Sequence, residues 1–170
     1  MGTTRAIVGQ PDVAAIQLTE LSLLIDNTKV LTLSSSRRSS SPPTVRVPTL
    51  GAYVLNKTVT FIDRPSSADA GFHRAAKDIV YLCDIFSGGE RVAQRVEDDL
   101  RALNAKKEAL RRMRRTAGQN LSAIIARPTT LMDTAVHQRA EREGSTDDAA
   151  RSEMLGYLEM LQSIFIEAAK

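Results

Sequence analysis

The chain has 170 residues, a formal net charge of +3 and an isoelectric point near 9.2, with 42% hydrophobic and 25% charged residues. This composition suits a folded protein with one core, or a small core with a helical appendage. Its single cysteine excludes an internal disulfide and favours a cytoplasmic location. No apolar run reaches the length of a membrane span, so we expect no membrane contact.

The first part of the chain predicts a small sheet of about three strands. Residues 1–12 are polar and are expected to be loose, or ordered only by docking. Alternating apolar residues over 16–25 predict a strand with a bulge, and a turn joins it in a hairpin to a second strand at 30–33. Residues 34–44, rich in Ser, Arg and Pro, predict a flexible loop, and residues 45–47 form a third strand.

Two helices are expected to follow this sheet. Pro48 suits an early helix position because its missing N–H has no partner there, and the second helix is expected to open at Lys77 and Asp78. Lys57 lies on a stripe of helical spacing with apolar residues, which are Leu50, Val54 and Phe61. Because a buried ammonium needs a partner, Lys57 either reaches the edge of the stripe, pairs with Asp78 or faces a phosphate in a cleft.

Short motifs in this region carry a family resemblance. They are V-R-V-P at 45–48, A-Y-V-L-N-K at 52–57, D-R at 63–64 and K-D-I-V-Y-L at 77–82. Together they resemble the C-terminal part of bacterial nucleotidyltransferase-fold proteins of the minimal-nucleotidyltransferase and abortive-infection toxin type. The resemblance covers roughly 40% of the chain, residues 16–86. It implies a partial nucleotidyltransferase-like segment over residues 1–86, in which Lys57, Arg64, Lys77 and Asp78 line the nucleotide side.

The chain departs from that family in its catalytic element. The defining Gly-Ser pair at a helix start, followed by a strand with Asp-x-Asp, is not found in the sequence. The resemblance therefore implies a truncated protein or half of a split enzyme, inactive alone, with no catalytic or metal-ligating residue of its own. Mg²⁺ and a nucleoside triphosphate would enter only if a second chain supplied the missing half and completed the sheet.

Residues 87–170 predict a helical domain. Gly88 and Gly89 are expected to break the chain before a third helix that begins near Val92 and continues through Met113. Further predicted breaks are Ala117-Gly118, Arg127-Pro128 and Gly144, with new helices starting near Thr129 or Thr130 and after Ser145 or Thr146. The last helix carries a stripe that forms core or a homodimer seam, made of Met154, Leu158, Leu161, Phe165 and Ala168.

A basic stretch lies in the predicted third helix. Its six cations are Lys106, Lys107, Arg111, Arg112, Arg114 and Arg115. Like charges at these spacings repel one another, so the stretch is either a solvated face or a contact for nucleic acid or an acidic protein. No aromatic residue is interleaved with it, which argues against base stacking there.

The sequence thus predicts an α+β protein with a small N-terminal sheet and a mainly α-helical C-terminal half. Two functions remain open. The first is a nucleotidyltransferase-like protein that lacks its catalytic half. The alternative is a non-catalytic binding or assembly protein that contacts RNA, DNA or a partner protein through a basic face.

Overall fold

The structure, a computed structural model, describes residues 3–7, 10–17, 19–33, 42–60, 69–104, 108–126 and 129–167. Side chains are described within 23–33, 42–60, 73–103, 110–126 and 129–167. The elements in order are β1 Thr3–Ile7, β2 Gln10–Gln17, α1 Thr19–Asp26, β3 Thr28–Thr32, β4 Thr44–Pro48, α2 Leu50–Thr60, α3 Asp69–Phe86, α4 Glu90–Asn104, α5 Glu108–Ala126, α6 Thr130–Glu143 and α7 Asp147–Glu167. The chain divides into two units, Met1–Thr49 and Leu50–Lys170.

The first unit contains two separate two-stranded antiparallel sheets. β1 pairs with β2, and β3 pairs with β4, where Leu31 lies opposite Val45. The Asn27 carbonyl accepts a hydrogen bond of 2.8 Å from the Thr49 amide, which extends the β3–β4 pairing by one residue beyond Thr28 and Pro48. The described residues therefore form two small sheets and not the single three-stranded sheet that the sequence predicted.

The strand expected over residues 16–25 is wrong beyond Gln17. Residues 19–26 form α1, so the predicted hairpin between this segment and β3 does not form, and β3 pairs with β4. The apolar residues of this segment fit two patterns. Leu21, Leu24 and Ile25 have helical spacing, whereas alternate apolar residues have strand spacing, and the intrinsic preference of leucine for helix favours the first pattern. Of the two alternatives for residues 1–12, a loose segment is wrong, since β1 and the start of β2 lie there.

The first helix after these sheets, α2, begins later than expected. Pro48 is the last residue of β4, and α2 begins at Leu50, so Pro48 is not part of the helix. The predicted loop over residues 34–44 falls mostly outside the described residues, and Thr44 already belongs to β4.

The second unit is built from α2 to α7 around an aliphatic core. α2 packs against α4 and α5, α3 packs against α6, and α7 packs against α5 and α6. Its largest fully buried side chains include Leu55, Ile79, Leu82, Phe86, Leu100, Leu121 and Met132. Leu, Ile, Val, Ala and Met fill most of this core, as the low aromatic content predicts. Within the described part of the chain, no helix is long and apolar enough to cross a membrane.

The breaks between the later helices confirm most of the predicted boundaries. Gly89 and Gly144 adopt positive φ angles of 81° and 65°, a conformation that glycine tolerates without a steric penalty. Thr129 caps α6 by accepting the Met132 amide at 3.1 Å, and Thr146 caps α7 by accepting the Ala149 amide at 3.3 Å. The α7 stripe is buried at Met154, Leu158, Leu161 and Phe165, so it forms core within the chain.

Three helix predictions are wrong. α3 begins at Asp69 and not at Lys77, and α4 ends at Asn104 before a separate α5 that begins at Glu108. α5 also continues through Gly118, which the sequence predicted to interrupt it. Packing against α2 and α7 explains this continuity, because tertiary burial of one face outweighs the roughly 1 kcal/mol helix penalty of a glycine.

Candidate anion-binding cleft

A cleft of about 450 Å³ opens between α3 and α6 in the helical unit. Its described lining residues are His73, Arg74, Lys77, Val80, Tyr81, Gln138 and Arg142. The lining has positive charge, one aromatic ring and one amide, and these described lining residues include no Asp or Glu. Its volume falls in the usual range of small-molecule sites, about 300–1,000 Å³.

Helical spacing places these side chains together. On α3 the lining residues occupy one helix face because they are separated by one, three or four positions. The opposite face of α3 is buried through Ile79, Leu82 and Phe86, which fixes the rotation of the helix. On α6, Gln138 and Arg142 are four residues apart and face the same cleft.

Arg142 is held in place by carboxylates behind the cleft. Its Nη1 and Nη2 donate to the two Asp84 oxygens at 2.8 and 2.5 Å, and Nη2 also lies 3.2 Å from Glu143 Oε1. The hydrogen bonds to Asp84 raise the pKa of Arg142 further above its already high ordinary value. The guanidinium therefore stays charged and keeps one orientation at the cleft wall.

Arg74 and Lys77 give the cleft its uncompensated charge. Both are exposed on α3, and within the described part of the chain neither forms an ion pair. Lys77 Nζ lies 5.5 Å from the centre of the Tyr81 ring, within cation–π distance. Arg142, by contrast, is balanced by Asp84, so the net positive potential comes from the α3 side.

Arg139 links α6 to α3, the two helices that form the cleft. Its guanidinium side chain is 3% exposed and lies 3.6 Å from Asp84 on α3, 3.2 Å from Glu143 on α6 and 3.3 Å from Glu153 on α7. It also lies 5.6 Å from the Tyr157 ring. Carboxylates on three helices thus converge on one buried cation.

Of the four residues assigned to the nucleotide side by the family resemblance, the structure describes Lys57, Lys77 and Asp78. Lys57 Nζ lies 2.6 Å from Asp78 Oδ1, which confirms the predicted pair, and it lies 5.7 Å from the centre of the Tyr53 ring. Lys77 faces the cleft, whereas neither Lys57 nor Asp78 belongs to its lining. Arg64 lies outside the described residues.

The basic stretch is also divided by the structure. Arg111, Arg112 and Arg115 are exposed on α5, whereas Arg114 is 6% exposed. Arg114 Nη1 is buried, and no hydrogen-bond partner for it is found among the described residues. Burial, and secondarily the charge of Arg111, lower the pKa of Arg114. Lys106 and Lys107 lie outside the described residues.

Sequence reasoning missed His73, Arg74, Gln138 and Arg142. A helix starting at Asp69 would have placed the first two beside Lys77 and Tyr81 on one face, so the missing information was the start of α3. The approach of α6 depends on tertiary packing and has no local signature in the sequence. Among the described residues, no group of three or more His, Cys, Asp or Glu side chains is arranged to hold a metal ion.

Comparisons with protein-family models, with curated proteins and with solved structures found no match to this chain.

Proposed function

We propose that the helical unit is a non-catalytic binding module that takes a phosphate-bearing small molecule in the α3/α6 cleft. The observation that carries this proposal is the convergence of Arg74, Lys77 and Arg142 on one cavity whose described lining contains no carboxylate. Guanidinium and ammonium groups are the usual protein ligands of phosphate. Arg142 is already oriented by Asp84, which lowers the ordering cost of a contact with the ligand.

A binding measurement with inorganic pyrophosphate tests this function. We expect calorimetry at low salt to detect pyrophosphate binding that weakens by about tenfold or more when Arg74 and Lys77 are both changed to Gln, since two charge-assisted contacts are lost. Arg101→Gln is the matched control, because Arg101 lies on α4 and pairs with Glu97 on the same helix. Equal affinity of the Arg74/Lys77 variant and the wild type would contradict the proposal.

For the protein as a whole, the sequence motifs favour a nucleotidyltransferase-like protein whose catalytic half lies on another chain. The Lys57–Asp78 pair supports it in one respect, because it joins two of the segments that carry the resemblance. The expected result is no labelled product when this chain alone meets nucleoside triphosphates, Mg²⁺ and RNA. Product should form once a chain with the Gly-Ser and Asp-x-Asp elements is added, and continued inactivity of that mixture would count against a split enzyme.

Nucleic-acid contact through α5 is a second candidate, favoured by the shared exposed face of Arg111, Arg112 and Arg115. Changing these three residues to Gln should reduce the slope of log affinity against log salt for single-stranded RNA by about 2, since each phosphate contact contributes roughly 0.7. Filter binding across a salt series measures the slope. An unchanged slope would remove this face from the candidate interfaces.

A further inference from the structure

A second, smaller cavity of about 290 Å³ adjoins the cleft. Its described lining residues are Tyr53 from α2 and Tyr81, Asp84 and Ile85 from α3. Tyr81 lines both cavities, so they share one side chain as a common wall. The two cavities thus form neighbouring halves of one groove in the helical unit.

The linings of the two halves differ in chemistry. The cleft carries Arg74 and Lys77, whereas the second cavity carries two phenol rings, one aliphatic side chain and one carboxylate. The boundary between them coincides with the Arg142–Asp84 pair, because Arg142 lines the cleft and Asp84 lines the second cavity. A ligand with an anionic end in the cleft and an uncharged ring system in the second cavity would match both linings.

Each end of such a ligand has a defined preference. A phosphate is attracted by Arg74 and Lys77, whereas the described lining of the second cavity has no cation, so a phosphate belongs in the cleft. The Tyr53 and Tyr81 rings suit a flat ring system, since aromatic surfaces stack with bases of any sequence. Asp84 accepts hydrogen bonds, which favours a neutral group that carries N–H or O–H donors.

We propose that the second cavity is a ring-binding subsite and that the ligand of the groove is a nucleoside phosphate, with its phosphates in the cleft and its nucleoside against Tyr81 and Tyr53. This inference rests on the proposed phosphate-binding function and adds the class and orientation of the ligand. It assigns discrimination between ligands to Tyr53, Tyr81 and Asp84, and assigns affinity for the phosphates to Arg74 and Lys77.

The test compares pyrophosphate with a purine nucleoside diphosphate on the full chain by calorimetry. The wild type should bind the nucleoside diphosphate about tenfold more tightly, because stacking adds to the shared phosphate contacts. Tyr53→Leu keeps an apolar side chain but removes the aromatic ring, so it should remove most of that tenfold gain while leaving the pyrophosphate affinity unchanged. The unchanged pyrophosphate affinity shows that the variant is folded.

The Arg74→Gln/Lys77→Gln variant should lose affinity for pyrophosphate and for the nucleoside diphosphate by the same factor. Equal affinity of the wild type for pyrophosphate and the nucleoside diphosphate would overturn the ring-binding subsite while leaving the phosphate-binding function in place. A Tyr53→Leu variant that binds the nucleoside diphosphate as tightly as the wild type would overturn it as well. Binding of neither ligand would overturn the proposed function and this inference together.

Discussion

Lys57 and Asp78 join α2 to α3 through a contact of 2.6 Å, with the lysine side chain 20% exposed and the aspartate side chain 5% exposed. The carboxylate is the more deeply buried partner, so the two residues are not equivalent. Removing the lysine takes a 2.6 Å ion pair away from a carboxylate that is almost fully buried.

We expect Lys57→Met to lower the free energy of unfolding by about 2–3 kcal/mol, slightly below the usual loss for a broken buried pair because Lys57 is partly exposed. The double change Lys57→Met/Asp78→Leu should recover most of that loss, since no buried charge remains. Urea unfolding measures both. Arg101→Gln, at a largely exposed arginine, should lower the free energy of unfolding by under about 1 kcal/mol. A loss as small as this in Lys57→Met would show that solvent screens the Lys57–Asp78 pair as much as it screens the Arg101–Glu97 pair.

Gly51 is expected to be intolerant of a side chain. A Cβ at this position would lie 2.6 Å from Asp99 Cβ and 3.0 Å from the Leu100 amide nitrogen, where α2 meets α4. Gly51→Ala should therefore destabilise the protein by about 1–3 kcal/mol despite the better helix propensity of alanine. Gly156→Ala on α7 is the control, because its Cβ meets nothing within 4 Å and should add up to about 1 kcal/mol. Thermal unfolding of the two variants should shift in opposite directions.

Arg114 is predicted to reduce stability. Its guanidinium occupies the buried face of α5 that also carries Ala117 and Leu121, and its Nη1 has no hydrogen-bond partner among the described residues. Arg114→Met keeps an unbranched side chain and removes the buried charge, so the free energy of unfolding should rise by about 1 kcal/mol or more. Arg115→Gln, at an exposed neighbour, should change it by less than about 0.5 kcal/mol. A clear loss of stability in Arg114→Met would show that the charge is compensated.

Cys83 is expected to make stability fall at alkaline pH. Burial raises the pKa of its thiol from an ordinary value of 9.0 to about 12, with the charge of Arg139 opposing this effect. The folded state therefore holds the proton more tightly than the unfolded state, and the resulting stabilisation is complete below pH 9 and is lost as the pH rises through about 12.

The difference in unfolding free energy between wild type and Cys83→Ala should therefore shrink between about pH 9 and pH 12, by up to roughly 1.4 kcal/mol per pH unit. Guanidinium unfolding across that range measures it, and groups common to both proteins cancel in the difference. A constant difference would mean that the thiol ionises equally in both states.

The sequence predicted the later helices well because their ends are marked by local chemistry. Thr129, Gly144 and Thr146 act through hydrogen bonds or backbone angles within a few residues, so their roles follow from residue type alone. The Lys57–Asp78 pair was predictable for a similar reason, since a cation on an apolar stripe needs a partner.

The cleft was not predictable to the same degree. Lys77 was identified from the sequence. Arg142 reaches the cleft only because α6 packs beside α3, and its contact residue Asp84 lies 58 positions earlier in the chain. The strand assignments failed where short apolar runs fit both helical and strand spacing, as in residues 19–26. The burial of Arg114 likewise depends on which face of α5 meets the core, and charge composition does not determine that.

The contacts of Arg139 with carboxylates on three helices affect the rate and the affinity with which the cleft binds a ligand. Because one buried cation binds carboxylates on α3, α6 and α7, we expect the α3 and α6 walls of the cleft to keep their spacing when a ligand binds. A site with fixed walls loses little conformational entropy on binding. Ligand capture should therefore follow simple one-step kinetics, with an association rate set by charge attraction and diminishing as salt is added.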